Sequence, residues 1–535
     1  MTRGTAPVLL CLGIAGACLA APAAAADRPK IVPFIDIEQF AEQQLKGVGD
    51  SVTYTEVSAG LDAQINSRRV VSTIAYRYTR RIPESGKTQT NSSHDGLARV
   101  TLQVVKDMLV LDAGVIATHT RVDPNGAAPQ INTATAANLS QVFGYFAQPS
   151  FVHHMGEADI RASYRFGYVV TQGTSPSALA GLPLVNHFDS STNHQAAFSV
   201  GMKRSSLPFD WSIKSDFESE NATQLAQHFK TWNVSGEVIV PVFSTIAAVG
   251  SVGYQSTQTS ERSSLLDANG VPVLDSKGGF VTDPNSPRTL TYDVKGIVGD
   301  GGVIWRPSRR TRLEVRGGYR YDGFSLSGLF EYQPGPRSGM TFVIFDRIDS
   351  FGRGVTEGVA QAPAGFDPSQ VDGNSTYQNC LFGKQKGSGS CLTSTLGSAT
   401  ASAYRSRGFN FIYTYRMRQT QFNFAGGYAR RNYIDLPGAP GSLDGVVDQT
   451  FFVQGSVGEQ LSQKSGLTFS FSGNLFKNGQ IGGSDILSGV INGGYYQSFG
   501  RGLRAQATVG VEASKQDGVP IDVTSRAQLG VRYQF

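Results

Sequence analysis

The chain has 535 residues, with 47 Lys and Arg against 42 Asp and Glu and a formal net charge of +5. So mild and dispersed a balance excludes a nucleic-acid binder held by a basic face. Beyond the N-terminal leader no run of 18 or more apolar residues occurs, so no transmembrane helix is predicted. The 62 glycines and slightly negative mean hydropathy suit membrane strands, in which every second residue has to be apolar.

The leader reads as a signal peptide over residues 1–26. Arg3 is its charged start, Pro7 to Leu19 its apolar stretch, and Ala21 to Ala26 its small-residue cleavage site. Cys18 follows Ala15-Gly16-Ala17, a poor lipobox. From Ile31 onward, segments with period 2 recur, the signature of strands with one apolar face. Residues 55–66 put Val57, Ala59, Leu61, Ala63 and Ile65 on one face, and residues 70–82 put Ile74, Tyr76, Tyr78 and Ile82 there. Residues 158–172 set Ile160, Tyr164 and Phe166 opposite Arg161, Ser163 and Arg165. Residues 311–323 set Leu313, Val315, Tyr319 and Tyr321 opposite Arg312, Glu314, Arg316 and Arg320. Residues 466–477 and 503–513 repeat the pattern, the latter with Arg504 and Glu512 on its polar face. The last segment sets Val531, Tyr533 and Phe535 opposite Arg526 and Arg532 and stops at an aromatic residue.

The pattern predicts about 22 strands, with 18 to 24 as the bracket. Their connections alternate in length. Short ones include Ser67–Arg69, Pro307–Arg310, Met417–Gln419 and Phe499–Gly502; long ones include 83–95, 122–136, 174–192, 259–288, 348–400 and 434–447. Outer-membrane barrels have short periplasmic turns and long outer loops, and this alternation puts every short turn except Asp322–Gly323 beside the termini. The predicted fold is therefore all-β: one transmembrane antiparallel barrel over residues 27–535, with the long outer loop 348–400, which is long enough to fold inward, so that the pore is either open or filled by a loop. Phe209, Trp211, Trp305 and Phe535 are expected in one aromatic girdle, and Tyr78, Tyr168 and Tyr321 in the other.

Cys11 and Cys18 lie in the leader. Cys380 and Cys391 stand close together in a Gly/Ser-rich part of an exported chain, so a local disulfide is predicted; a zinc site lacks neighbouring ligands. The Asp-rich stretches 267–270, 275–279 and 283–286 look like partial calcium loops and read more simply as turns.

Several stretches carry a resemblance. They are residues 54–63, Tyr76-Arg77-Tyr78-Thr79-Arg80-Arg81-Ile82, His187-Phe188-Asp189-Ser190-Ser191, residues 280–288, Trp305-Arg306-Pro307-Ser308-Arg309-Arg310-Thr311, the Cys380–Cys391 loop and Tyr533-Gln534-Phe535. Over nearly its whole mature length the chain resembles an uncharacterised family of alphaproteobacterial outer-membrane β-barrels, grouped near exopolysaccharide-associated (PEP-CTERM) and porin-type barrels. Relatives often carry the label preprotein translocase subunit YajC, a name that belongs to a short inner-membrane protein with one spanning helix. The resemblance implies location and architecture; it brings no catalytic residues.

Arg161, Arg165, Arg312, Arg316, Arg320, Arg504, Arg526 and Arg532 are predicted to face the lumen, where basic walls would favour anions or sugars; carboxylates on neighbouring strands could instead pair with them. His94-Asp95 and His187 to Ser190 are the candidates for hydrolysis, but there is no nucleophile elbow, Walker A motif or zinc-protease motif. No enzyme and no cofactor are predicted. The function expected is a porin-like or export channel in the Gram-negative outer membrane for hydrophilic solutes, surface polysaccharide among them. A non-conducting structural or surface-interaction barrel is the alternative, and an outer-membrane hydrolase the distant one. Expected partners are outer-membrane lipid and the barrel assembly machinery, which would read Tyr533 and Phe535. Deleting Phe535 is expected to lower the yield of heat-modifiable protein in outer-membrane fractions; unchanged assembly would remove that role.

Overall fold

The computed structural model describes residues 29–47, 51–86, 90–124, 138–172, 185–203, 207–275, 277–371, 380–500 and 502–535. The predicted signal peptide, Cys11, Cys18 and most of the loops 122–136 and 174–192 lie outside the described residues.

The alternating segments form strands. In chain order they are β1 (Lys30–Lys46), β2 (Val52–Asn66), β3 (Val70–Ser85), β4 (Asn91–Val105), β5 (Leu109–Arg121), β6 (Leu139–Met155), β7 (Ala158–Gln172) and β8 (Ser190–Met202). Then come β9 (Asp210–Ala222), β10 (His228–Pro241), β11 (Ile246–Glu261), β12 (Thr289–Ser308), β13 (Thr311–Arg320), β14 (Gly323–Gly335) and β15 (Ser338–Asp349). A small hairpin, β16 (Cys380–Phe382) and β17 (Gly389–Cys391), stands apart. The series resumes with β18 (Ala403–Arg416), β19 (Thr420–Ile434), β20 (Val447–Gln460), β21 (Ser465–Lys477), β22 (Ile486–Phe499), β23 (Leu503–Gln516) and β24 (Asp522–Gln534).

All but the hairpin belong to one 22-stranded sheet, and each strand pairs antiparallel with its neighbours in the chain. The first strand also pairs with the last: Phe34 lies opposite Gln534, Asp36 opposite Arg532 and Glu42 opposite Arg526. The sheet is thus a ring, as the 22 sequence segments predict. Two expectations about the connections are corrected. The long loop 83–95 shrinks to residues 86–90, because β3 and β4 extend into it. Its polar residues read as loop but pair across the ladder: Tyr76 Oη and His94 Nδ1 are 2.8 Å apart, and Tyr78 donates to Ser92 at 3.1 Å. Connections 47–51, 223–227 and 517–521 are short as well, so brevity does not mark only the terminal end.

Alternation sorts the side chains. Ile35, Ile37, Val531, Tyr533 and Phe535 face outward and are exposed, while Phe34, Asp36, Glu38, Phe40 and Glu42 face inward and are buried. At the seam these inward groups interlock. Arg532 donates twice to Asp36, at 2.7 and 2.9 Å, and Arg77 reaches Asp36 at 2.8 Å and Glu38 at 3.6 Å. Arg526 lies 3.7 Å from Glu42 and Arg81 2.8 Å from Glu56. Aromatic rings support the guanidinium groups: Arg532 sits 4.2 Å over Phe34, Arg526 4.2 Å over Phe40 and Arg81 4.5 Å over Tyr54.

The girdle expectation fails at Tyr321. It occupies a left-handed turn (φ 54°), and its ring packs with Tyr292 against the inner cluster of Phe229, Ile348 and Ile434. That twist swings its side chain off the face on which strict alternation would leave it.

Removing the Asp36 carboxylate leaves Arg77 and Arg532 facing each other with less compensation. Breaking one partner of a buried pair costs about 3–5 kcal/mol. Asp36→Ala is therefore expected to lower the urea midpoint of the folded, heat-modifiable band, whereas an exposed control such as Glu84→Ala leaves it in place.

Candidate functional site

The described residues of segment 350–402, which are 350–371 and 380–402, do not form an outer loop. They fold into the ring as a plug, and three features of their sequence let them do so. Ser350 caps α1 (Phe351–Gln361), its hydroxyl accepting from the Arg353 N–H at 3.2 Å. Phe351, Val355 and Val359, four residues apart, put one apolar stripe on that helix. Gly352, Gly354 and Gly358 keep it thin, at about 1 kcal/mol of helix propensity each relative to Ala, so the helix depends on the wall it meets.

That wall is apolar on its inner face. Ala75, Leu97, Ile116, Val142, Phe146 and Val169, from β3 to β7, join Phe351, Val355, Val359, Phe366, Leu392 and Leu396 of the plug in one buried cluster. Contact is close enough to require glycine in the wall. A Cβ on Gly144 would stand 2.8 Å from Val355 Cγ1, and one on Gly167 2.6 Å from Thr356 Cγ2.

Charged clamps surround this apolar patch. Arg353, buried, lies 3.2 Å from both Glu218 and Glu220 of β9, with its guanidinium 3.6 Å over the Phe229 ring. Glu357 pairs with Arg165 of β7, which also donates to Gln148 at 2.6 Å. Burial alone would raise the Glu357 carboxyl, but Arg165 and Arg347 outweigh it and hold the group below the usual carboxylate range. Arg99 of β4 donates to the carbonyls of Ala360 and Ala362 at 3.0 Å, a cation at the helix C-terminus. Arg121 donates to the Gly397 carbonyl at 2.6 Å, after the short helix α2 (Thr393–Leu396).

The plug reaches the opposite wall through its hairpin. The disulfide Cys380–Cys391 joins β16 to β17, and Cys380 and Phe382 pack with Ile412, Ala425 and Phe452 of β18 to β20. Cys380 N–H donates to Gln454 at 2.6 Å. Gly387 at the tip donates to Thr414 at 2.8 Å and accepts from Thr341 at 2.8 Å. Ser350 starts at the long-loop end and Thr414 lies near the 417–419 turn, so the plug runs most of the length of the lumen.

The predicted lumen arginines divide between plug, wall and seam. Arg165 clamps the plug, and Arg526 and Arg532 belong to the seam. Arg316 meets Glu237 at 2.6 Å, Glu314 at 2.8 Å and Asp300 at 3.5 Å; Arg312 meets Glu314 at 3.0 Å. Arg320 donates to Gln255 at 2.7 Å and lies over the Tyr321 ring. Arg504 stands 3.9 Å over the Tyr496 ring. Arg161 is 3.7 Å from Asp159 and mostly exposed. Tyr533 and Phe535 stay outside, their rings 5.0 Å apart.

The two candidate hydrolytic groups do not assemble. His94 bonds Tyr76 while Asp95 meets His119 at 3.4 Å; Asp189 pairs with Lys277 and Ser190 is 3.4 Å from Thr223. The Asp-rich stretches are turns. Asp267 accepts from the N–H groups of Asn269 and Val271, and Asp275 from those of Lys277 and Gly279, at 2.8–2.9 Å.

Sequence reasoning missed Arg99, Arg121, Arg353, Glu357 and the seam acids Asp36, Glu38 and Glu42. A partial signal existed for the plug: Leu97, Ile116, Val142 and Phe146 stand on the otherwise polar faces of β4, β5 and β6, where a water-filled lumen has no use for them.

No protein-family model and no curated protein matches the chain. Among solved structures it is similar to the closed form of the ferric-catecholate import receptor Fiu of E. coli K12, at 10% identity over 94% of this chain and 81% of that one, with a TM-score of 0.46. It is also similar to the ferric yersiniabactin uptake receptor FyuA of Yersinia pestis (9% identity, 95% and 81% covered, TM-score 0.40) and the copper transporter OprC (10%, 96% and 82%, 0.34). The expected porin-like or export channel is corrected here. A plug held at both walls stands in its lumen, where an open pore would need water. The anion bias goes with it, since the strongest lumen charges are paired.

Overpacking at the plug contact costs about 1–3 kcal/mol. Gly144→Ala is expected to speed amide hydrogen exchange in α1 while the ring strands keep their protection. Adding Val355→Ala to it should slow α1 exchange again.

Proposed function

We propose that the chain is an outer-membrane barrel of the receptor type, shut at rest by its own plug, that admits a small hydrophilic solute when the plug is displaced. The ring lies across the membrane with its apolar outer face in lipid, because a sheet crosses a bilayer only without free edges. Insertion would go through the barrel assembly machinery, after a signal peptide has been removed. Membership of the alphaproteobacterial outer-membrane family is proposed on the stretches quoted above.

The observation that carries the reading is how the plug is attached. It shares no strand ladder with the wall among the described residues; its own pairings are β16 with β17 and a bridge of Phe366 with Gly383, and one isolated bridge joins Thr400 to His187. Side-chain clamps and two apolar patches hold it, and both its chain connections leave from the same end. Such a segment can move without breaking the hydrogen bonds of the ring. The clamps are also specific enough to re-form, with Arg353 set between two glutamates and Glu357 against Arg165.

Planar-bilayer recording tests this. The full chain is expected to be silent or to open rarely. Replacing residues 351–399 by a short Gly/Ser linker should give a steady, large conductance, and Arg353→Ala should give intermittent openings. A steady conductance in the unaltered protein, or none after plug removal, would overturn the reading.

A further inference from the structure

The two ends of the ring differ in charge. On the side of the termini three tight turns each carry a pair of exposed arginines: Arg68 with Arg69, Arg309 with Arg310, and Arg416 with Arg418. Lys106, Arg337 and Lys464 add one exposed base each on the turns between. Exposed acids at this end are few, chiefly Asp107, Glu157 and Glu331, and Asp107 is already 3.9 Å from Lys106. The plug contributes too, since Lys384 and Lys386 at its hairpin tip are exposed near the same mouth. At the opposite end the signs are mixed. Exposed Glu84, Asp267, Asp322, Asp444 and Asp517 are interspersed with the exposed bases Lys46, Arg80, Lys230, Arg430, Lys477 and Lys515, besides Arg288 and Lys277, the last tied to Asp189.

The basic turns do not stand on a purely polar rim. Phe243 is 67% exposed, Met155 62% and Phe499 54%, and Leu461 and Met417 are exposed beside them. Trp305 and Phe535 continue this apolar band just inside it. Apolar side chains that find no protein partner, followed outward by a ring of cations, match the layers of a phospholipid leaflet: acyl chains, then phosphates.

We propose that this terminus-side ring of basic turns is a docking surface for anionic glycerophospholipid headgroups. The inference rests on the membrane placement proposed above and adds an orientation to it: the termini and the plug tip face a leaflet of anionic phospholipid. Nine exposed cations spread over six turns would each meet a different headgroup, so binding is a property of the whole rim. Lys and Arg beside a negative lipid surface add roughly equal increments, each screened within about a Debye length.

The test uses the full chain purified in detergent with equal amounts of phosphatidylglycerol and phosphatidylcholine, and counts retained lipids by native mass spectrometry. Phosphatidylglycerol is expected to be retained with a preference of about tenfold. The variant Arg68→Gln, Arg69→Gln, Arg309→Gln, Arg310→Gln should lose most of that preference, while Lys277→Gln with Arg288→Gln at the other end should keep it. Both variants change exposed side chains, and the heat-modifiable band confirms that each is folded. Equal retention of the two lipids, or equal loss in both variants, would overturn the proposal while leaving membrane placement intact. Failure of folded protein to insert into vesicles of either lipid would overturn the membrane placement and this inference with it. Preference for lipopolysaccharide at the same turns would overturn the proposed orientation.

Discussion

A sheet of many strands leaves two rows of unpaired N–H and C=O groups unless its first strand meets its last. Everything else in this structure follows from the way β1 does so, lying between β2 and β24. The register sets Asp36, Glu38 and Glu42 on the inner face, beside Arg532 and Arg526 of β24 and Arg77 of β3. A slip by one residue would move those carboxylates to the apolar outside and leave the arginines inside without them. The seam charges therefore specify register as well as contributing attraction. Their phenyl supports, Phe34 and Phe40, shield the pairs from water at the place where the ring is joined.

A ring of 22 strands encloses more space than its own inward side chains can fill. Water could occupy it, or protein could. Here part of the wall, on β3 to β7 and β18 to β20, has become a second core. Leu97, Ile116, Val142 and Val169 turn apolar surface inward, and α1 and the disulfide hairpin cover it. The other inward surface remains polar and charged, with Arg316 set among Glu237, Glu314 and Asp300. The division shows how a segment can be both firmly seated and separable. The apolar patches supply adhesion, the glycines at 144 and 167 supply close approach, and the ion pairs supply position. None of these uses the backbone ladder that holds the ring.

Alternation with period 2 is a local property, so the strands and the count of 22 were legible from the sequence alone, as was the nearness of Cys380 to Cys391. Which side of each strand is apolar could also be read locally, and Arg316, Arg526 and Arg532 were recognised on the polar side. The polar ends of β3 and β4 were not, because a segment polar on both faces carries no period. Tyr321 was misplaced because a left-handed residue breaks the alternation on which the reading rests.

What an inward residue meets was not available to the sequence. Arg353 and its two glutamates are more than 130 positions apart, Arg77 reaches over β2 to Asp36 of β1, and a Gly-rich stretch becomes a helix because a wall of matching shape lies beside it. The local alternation of residues established that the chain builds strands with one apolar face. Only the return of the sheet on itself decided that there is an interior, and only the packing of residues 350–402 into it decided that the interior is occupied, because both depend on contacts between residues far apart in the chain.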